Sequence, residues 1–174
     1  MAGATGYIGK AVVAELLDKD YFVYAIVRKE KRLEYSDQSN LKVLSLEAGE
    51  NSDWTKQLPR IDIIISCLAS RSGCERDANF VDYSLNSDLL YFALKIKLQH
   101  FILLSAICIQ KPKLAFQRAK LRFNSKLMAS GLRYSIVLPT AFFKSLSGQV
   151  NRIKNGKSFL VFGNGKRTSS LPIS

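Results

Sequence analysis

One stretch decides the fold of this chain: Gly3-Ala4-Thr5-Gly6-Tyr7-Ile8-Gly9, which sets three glycines at three-residue spacing. Glycine has no Cβ, so it tolerates positive φ and lets the backbone come close to a ligand. A helix that starts at such a turn points its first amides at a phosphate group. We therefore predict a dinucleotide-binding turn whose cofactor contacts are Gly3, Thr5, Gly6, Tyr7, Ile8 and Gly9.

The residues after the turn agree with this prediction. Apolar residues recur at helical spacing in Ile8, Val12, Val13, Leu16 and Leu17, so an amphipathic helix begins where the turn requires one. The glycine spacing differs by one position from the common dinucleotide fingerprint, and a flexible glycine-rich terminus is the alternative interpretation. A strand precedes the turn in this type of sheet, yet only Met1 and Ala2 precede Gly3. We expect the first strand to be missing.

The rest of the chain alternates between strand and helix patterns. Apolar runs predict strands at 21–27, 41–46, 61–66, 101–104 and 134–138. Helical periodicity and capping residues predict helices at 54–58, 79–98 and 114–130. This alternation is typical of the α/β class with a doubly wound parallel sheet, the NAD(P)-binding Rossmann fold. We expect residues 1–174 to form one such domain, incomplete, without its C-terminal part and with no second domain.

The composition bounds the function classes. Lys and Arg number 26 against 14 Asp and Glu, a net charge of +12 that favours a polyanionic partner. The cations are spread along the chain without aromatic interleaving, so we expect no nucleic-acid partner and interpret them as a basic surface facing an anionic cofactor and substrate. An RNA-binding protein is the weaker alternative. No apolar run approaches the ~20 residues of a membrane-spanning helix, and peripheral membrane contact stays open.

Metal and disulfide chemistry find little support in the sequence. Cys67, Cys74 and Cys108 are odd in number and lack metal-ligand spacing, and His100 is the lone histidine. We expect reduced thiols and no metal site.

The residues at the end of the predicted strand 21–27 indicate whether NAD or NADP is the cofactor. An acid at this place binds the ribose 2′-hydroxyl of NAD, whereas an arginine accommodates the 2′-phosphate of NADP. Here Arg28 follows the strand, and Lys29, Lys31 and Arg32 come next without an acid at the tip. We predict NADPH as the cofactor and Arg28 as a contact to it. An exposed basic turn is the alternative.

Further candidate contacts follow the other strands. Ligands of open α/β sheets lie at the carboxyl ends of the strands, and small and polar residues fill the run Cys67–Gly73 after the fourth predicted strand. We predict cofactor contacts there and after the next two strands, at Leu68, Ala69, Ser105 and Pro139. A plain connecting loop is the alternative for Cys67–Gly73.

A lysine in the helix 114–130 is the catalytic candidate. Lys120 lies one helical turn after Phe116, so both side chains face the same side. In many nicotinamide reductases of this architecture a tyrosine and a lysine hold these two places, and here the tyrosine is replaced by phenylalanine. We predict that Lys120 is catalytic and binds the cofactor. A solvated charge on a basic helix is the alternative.

Five motifs together resemble the divinyl chlorophyllide 8-vinyl-reductase family, atypical members of the short-chain dehydrogenase superfamily. They are Gly3–Lys10, Ser66–Arg71, Leu103–Pro112, Phe116–Lys120 and Pro139–Leu146. The resemblance implies NADPH-dependent reduction of the 8-vinyl group of divinyl chlorophyllide or protochlorophyllide to ethyl in chlorophyll biosynthesis. It implies a tetrapyrrole substrate and a location in the chloroplast or in the cytoplasm of a photosynthetic bacterium.

The resemblance also gives roles to the two helix residues. Reduction of a vinyl group forms no alkoxide, so it does not need the tyrosine hydroxyl that Phe116 lacks. Lys120 would hold the nicotinamide ribose and lend positive charge. A non-catalytic NADP-binding regulator or assembly factor is the alternative, because related folds that bind NADP have also lost the tyrosine.

This chain departs from the family pattern at both ends. The family has a strand before the glycine turn and a long continuation after the segment that corresponds to Leu171–Ser174. Strands on either side of a missing first strand would expose unpaired amides and carbonyls, an arrangement that promotes aggregation. We expect a polypeptide of residues 1–174 alone to be aggregation-prone or molten, to bind NADPH weakly and to reduce no vinyl group.

Overall fold

The computed structural model describes residues 1–28, 37–46, 60–140, 142 and 147–158. The chain divides into two compact units, Met1–Val137 and Leu138–Ser174. The first unit contains, in chain order, α1 (Tyr7–Asp18), β1 (Val23–Arg28), β2 (Leu41–Leu46), β3 (Ile63–Ser66), α2 (Glu75–Ala78), a π-helical segment (Asn79–Ser84), α3 (Leu85–Lys95), β4 (His100–Leu104), α4 (Ala115–Met128) and β5 (Tyr134–Val137). The second unit contains α5 (Ser147–Lys154).

The strands of the first unit are parallel. β1 pairs with β2, and β4 lies between β3 and β5. Ala2 forms a parallel bridge to Ile26 of β1 on one side and to Ser66 of β3 on the other. The spatial order is therefore β2, β1, Met1-Ala2, β3, β4, β5, which is the order 3-2-1-4-5-6 of a dinucleotide-binding sheet. The predicted α/β parallel fold is confirmed.

Met1 and Ala2 occupy the place of the first strand. The Ala2 amide donates to Ile65 O at 2.9 Å, and Ala2 O accepts from the Cys67 amide at 2.9 Å. On the other side Met1 O accepts from the Ile26 amide at 2.9 Å. No strand precedes α1 among the described residues, as expected, but Ala2 forms bridges to both neighbouring strands.

The sheet carries an apolar core on each face. On β1, Val23, Ala25 and Val27 pack against Val13 and Leu17 of α1. Ile26, which points to the opposite face, packs against the cluster formed by β3, β4, α3 and α4. Alternation of side chains along a strand produces this division, and helices on both faces make the sheet doubly wound.

The helix after β3 differs from the prediction in an informative way. α2, the π-helical segment and α3 follow one another without a break from Glu75 to Lys95, whereas the sequence predicted a regular helix over 79–98. Within it Phe80, an apolar residue, is 49% exposed, whereas the polar Asp82 and Asn86 are buried. At 3.6 residues per turn, Asp82 and Asn86 lie on the same side of the helix as the buried Leu89. Phe80 lies on the opposite side, so the predicted helix was correct in its spacing and wrong in which residues were taken as buried. The predicted helix 54–58 lies outside the described residues.

The second unit is described in part. α5 ends in a glycine cap, in which Gly156 has φ +69° and the Lys157 amide donates to Arg152 O at 2.9 Å. Within the described ranges, none of the helices combines the length and the apolarity that crossing a bilayer requires.

Burial of the amine at Met1 predicts a pH-dependent stability. In a polypeptide that begins at Met1, this amine donates to Tyr24 O at 2.7 Å, and burial lowers its pKa from 8.0 to about 6. Between these two values the unfolded chain binds a proton that the folded chain does not, so the free energy of unfolding should rise by about 2 kcal/mol as the pH increases from ~6 to ~8. Urea unfolding across this pH range measures the slope.

An N-acetylated polypeptide of the same sequence is the control. Acetylation removes the titrating group, so the slope between these pH values should disappear. An unchanged slope after acetylation would mean that another group is responsible.

Candidate functional site

The glycine turn packs directly on the loop that follows β3. Gly3 has φ +78°, and a Cβ at this position would lie 2.6 Å from both the carbonyl carbon and the carbonyl oxygen of Cys67. A Cβ at Gly9, in the first turn of α1, would lie 2.0 Å from Gly3 O. Only glycine fits at either place, because the obstructing atoms belong to the backbone and cannot rotate away. The turn, the helix and the loop therefore form one close-packed unit.

The start of α1 is suited to an anion. Gly6 is the N-cap, its amide donates to Gly3 O at 3.0 Å, and its carbonyl accepts from the Lys10 amide at 2.9 Å. No acidic residue lies in the first turn of α1. The first amides of a helix have no carbonyl within the helix to bond, and the helix dipole favours negative charge at this end. These features fit the pyrophosphate of a dinucleotide.

Two serines at strand ends are buried and paired with asparagines. The Ser66 hydroxyl, at the end of β3, donates to Asn86 Oδ1 at 2.6 Å. The Ser105 hydroxyl, directly after β4, donates to Asn124 Oδ1 at 3.1 Å. Buried polar groups need such partners. The two pairs fix α3 and α4 against the carboxyl edge of the sheet.

Lys120 lies at the centre of this edge. Its side chain is 8% exposed, and Nζ lies 3.1 Å from Oδ1 of the fully buried Asp82. Nζ also donates to Leu68 O at 3.2 Å and to Leu104 O at 3.4 Å. An ammonium has three donors, so these contacts occupy all of them. The solvated-charge alternative for Lys120 is wrong, because the side chain is buried and paired.

The π-helical segment positions the partner of Lys120. Asp82 lies within it, and its Oδ2 accepts from the Ser70 amide at 3.4 Å. The Asn86 side-chain amide donates to Asp82 O at 3.1 Å and to Val81 O at 3.4 Å. Asn86 thus satisfies backbone carbonyls in the segment where the regular helical bonding changes.

The Cys67 thiol is part of the same neighbourhood. Burial raises the pKa of Cys67, and the nearby charge of Lys120 opposes this rise without cancelling it. The raised pKa favours the thiol form of Cys67 over the more reactive thiolate.

The structure brings several predicted residues together. Gly3 contacts the Cys67–Leu68 peptide, Leu68 O accepts from Lys120, and Lys120 also contacts Leu104, the neighbour of Ser105. Ala69 is exposed beside them. Thr5 and Ile8 are half-buried and Tyr7 is 57% exposed around the glycine turn.

Two predicted contacts remain predictions. Arg28 ends β1, and its side chain lies outside the described residues. Pro139 belongs to the second unit.

Sequence reasoning missed four buried polar residues of the site: Ser66, Asp82, Asn86 and Asn124. A signal for two of them was present. Asp82 and Asn86 are four residues apart and continue in phase with the buried Leu89 and Ala93. Polar residues on the buried side of a helix are usually paired with another polar group.

A match to a known protein family identifies the fold of the chain and the class of its cofactor. A sequence profile described as NAD(P)H-binding matches residues 3–169. The chain belongs to this NAD(P)H-binding family. Membership of this family identifies a nicotinamide dinucleotide as the cofactor class of the domain.

The curated relatives that the chain matches include reductases and assembly factors. The chain is 42% identical over 197 aligned residues to the divinyl chlorophyllide a 8-vinyl-reductase, chloroplastic, of Cucumis sativus, an alignment that covers 100% of the chain and 46% of the relative. It is 28% identical to the photosystem II assembly factor Ycf39 of Cyanophora paradoxa, covering 84% of the chain and 46% of the relative. The chain thus spans about half the length of the curated relatives that it matches.

Solved structures of the NAD(P)H-binding type agree with the fold. The UDP-glucuronic acid 4-epimerase from Bacillus cereus in complex with NAD superposes with a TM-score of 0.80 at 17% identity, covering 94% of this chain and 64% of that one. At this identity the likeness shows the shared fold alone.

The contact between Gly3 and Cys67 gives a testable prediction with a built-in control. Gly3→Ala should lower the free energy of unfolding by more than the ~1–2 kcal/mol that positive φ alone costs, because its Cβ also meets the Cys67 backbone. Gly131 has φ +77° with nothing within 4 Å of a Cβ, so Gly131→Ala should show the cost of positive φ alone. Urea unfolding of both variants in the same background makes the comparison. Equal losses would show that the packing of the turn on the loop is not the constraint.

Proposed function

We propose that this chain is the nucleotide-binding part of an NADPH-dependent reductase that converts the 8-vinyl group of divinyl chlorophyllide to ethyl. The observation that carries the proposal is the combination of a buried lysine, Lys120, with a phenylalanine, Phe116, on one side of α4. The likeness to the Cucumis sativus relative along the whole chain directs the choice of substrate.

Phe116 argues for reduction of a carbon–carbon double bond. Reduction of a ketone places negative charge on oxygen, and a hydroxyl at the position of Phe116 would be needed to protonate it. The phenylalanine side chain has no proton to give. Addition of hydride to a vinyl group forms no alkoxide, and the conjugated macrocycle of a tetrapyrrole spreads the developing charge.

The chain's own residues bind and orient. The nicotinamide cofactor, when bound, supplies the hydride. The glycine turn and the start of α1 would hold its pyrophosphate, and Lys120 would hold the nicotinamide ribose. Nζ already contacts Leu68 O, Leu104 O and Asp82 Oδ1, so to bind a ribose hydroxyl Lys120 would give up one of its two carbonyl contacts, which at 3.2 and 3.4 Å are the longer ones. The ion pair with Asp82 keeps the ammonium in place during this exchange.

The charge of the chain suits an anionic substrate. Its net charge of +12 favours the approach of a chlorophyllide, which carries a carboxylate, and of the cofactor phosphates. We propose that the protein is located in the chloroplast, because the name of the Cucumis sativus relative describes it as chloroplastic.

Direct assay of the whole polypeptide tests the reaction. With NADPH and divinyl chlorophyllide, the full-length protein should form the 8-ethyl product, detected by chromatography. Phe116→Tyr should change turnover little, whereas Lys120→Met should lower it at least ~10²-fold, since misplacement beside the reacting group is costly. Thermal unfolding of each variant must accompany the assay, because loss of Lys120 leaves the Asp82 carboxylate buried without its partner. Turnover of Lys120→Met at the wild-type rate would refute the role of Lys120.

The cofactor preference is tested at Arg28. If its guanidinium binds the 2′-phosphate, Arg28→Ala should weaken NADPH binding by roughly 1.5–3 kcal/mol and leave NADH binding almost unchanged. Lys42→Ala, which removes an exposed positive charge from the neighbouring strand, is the matched control and should affect neither. Equal losses for both cofactors in Arg28→Ala would contradict the assignment.

A second candidate function is an NADP-binding assembly factor without catalytic turnover. The likeness to the Cyanophora paradoxa relative favours it, as does the absence of a hydroxyl at Phe116. Binding of NADPH by the full-length protein without any shift of the chlorophyllide absorbance spectrum, and without product, would support this alternative over the reductase.

A further inference from the structure

Asp82 is 1% exposed, yet the proposed reaction makes no direct use of it. Its Oδ1 has no hydrogen-bond partner among the described residues apart from the ion pair with Lys120 Nζ at 3.1 Å. Its Oδ2 accepts from the Ser70 amide at 3.4 Å. One buried carboxylate therefore joins α4 to the loop that follows β3.

The same loop is held from its other side by the glycine turn. Gly3 packs on the Cys67–Leu68 peptide at distances that leave no room for a Cβ. Leu68 O accepts from Lys120 Nζ at 3.2 Å. The glycine turn and Lys120 thus contact the same short loop at Cys67 and Leu68, and Asp82 contacts it two residues later, at Ser70.

We propose that Asp82 is a positioning residue for the nicotinamide dinucleotide. Its carboxylate fixes Lys120 and the Cys67–Ser70 loop as one unit, so that the glycine turn and the lysine engage the same cofactor at a set separation. This inference rests on the nicotinamide site and is independent of the reaction that the whole protein performs.

Stability alone gives little reason for the pair. Removing two charges from water is costly, and apolar residues of similar volume often serve a core as well or better. The π-helical segment supports a specific use instead, since such segments are frequent at functional sites and this one carries Asp82 to the strand ends. The Asn86 side chain satisfies the carbonyls of Asp82 and Val81, which maintains the segment in this shape.

The experiment measures cofactor affinity and fold stability separately in the full-length protein. Asp82→Asn keeps the shape of the side chain but removes the charge that holds Lys120. The dissociation constant of NADPH, from fluorescence titration, should rise at least about tenfold, the effect of one lost charge-assisted hydrogen bond. Leu127→Ala, which truncates a fully buried apolar residue of the same helix, is the matched control. It should lower the thermal midpoint and leave the NADPH dissociation constant unchanged.

A double-mutant cycle shows whether Asp82 acts through Lys120. In a Lys120→Met background, Asp82→Asn should cause no further loss of NADPH affinity, because the group that it positions is gone. Losses that simply add would overturn the proposal, as would an Asp82→Asn variant that behaves like Leu127→Ala. If Asp82→Asn does not fold, Asp82→Glu takes its place: the added methylene displaces Lys120 and should weaken NADPH binding, and unchanged affinity would overturn the proposal. If the full-length protein meets these expectations but reduces no vinyl group, the proposed reductase function is wrong and the proposed role of Asp82 in cofactor binding still holds.

Discussion

The close contact between Gly3 and the Cys67–Leu68 peptide is the constraint on which the site depends. Ala2 is hydrogen-bonded to Ile65 and Cys67, so the chain leaves the sheet only one residue before the turn. It must reverse at once, and the positive φ of Gly3 makes the reversal while its missing side chain lets the two backbones touch. The start of α1 is thereby held over the carboxyl edge of the strands, where open α/β sheets bind their ligands.

Beyond this contact, the carboxyl edge is organised by polar groups that are buried in pairs. Ser66 with Asn86 and Ser105 with Asn124 each join a strand end or its loop to a helix, and Asp82 with Lys120 joins the π-helical segment to α4. Each pair also makes the fold sensitive to mutation, because loss of one member leaves a buried group without a partner. The free energy of unfolding then falls by ~1–3 kcal/mol for a neutral group and by more for a charged one. Helix positions at this edge are consequently determined by directional bonds as well as by apolar packing, which by itself tolerates sliding.

The fold could be predicted because it follows from local patterns. Glycine spacing gave the turn and the start of α1, and the apolar run 41–46 gave β2 with its observed bounds. The site could be predicted only in part. Spacing on the helix identified Lys120, but the charge pattern of a basic helix does not indicate which of its lysines is buried. Asp82 escaped because a carboxylate was not expected on the buried side of the helix, although regular helical spacing from Asn86 and Leu89 places it there.

The buried pair changes the interpretation of the charge in the site. Lys120 alone would attract an anionic cofactor and stabilise negative charge near the nicotinamide. With Asp82 at 3.1 Å the two groups act as a dipole, whose potential falls off faster with distance than that of a single charge. Long-range attraction for the cofactor phosphates must then come from the basic surface and from the start of α1. In the role that we propose for it, Lys120 would act through short-range hydrogen bonding in a fixed direction, which depends on its position far more than on its charge.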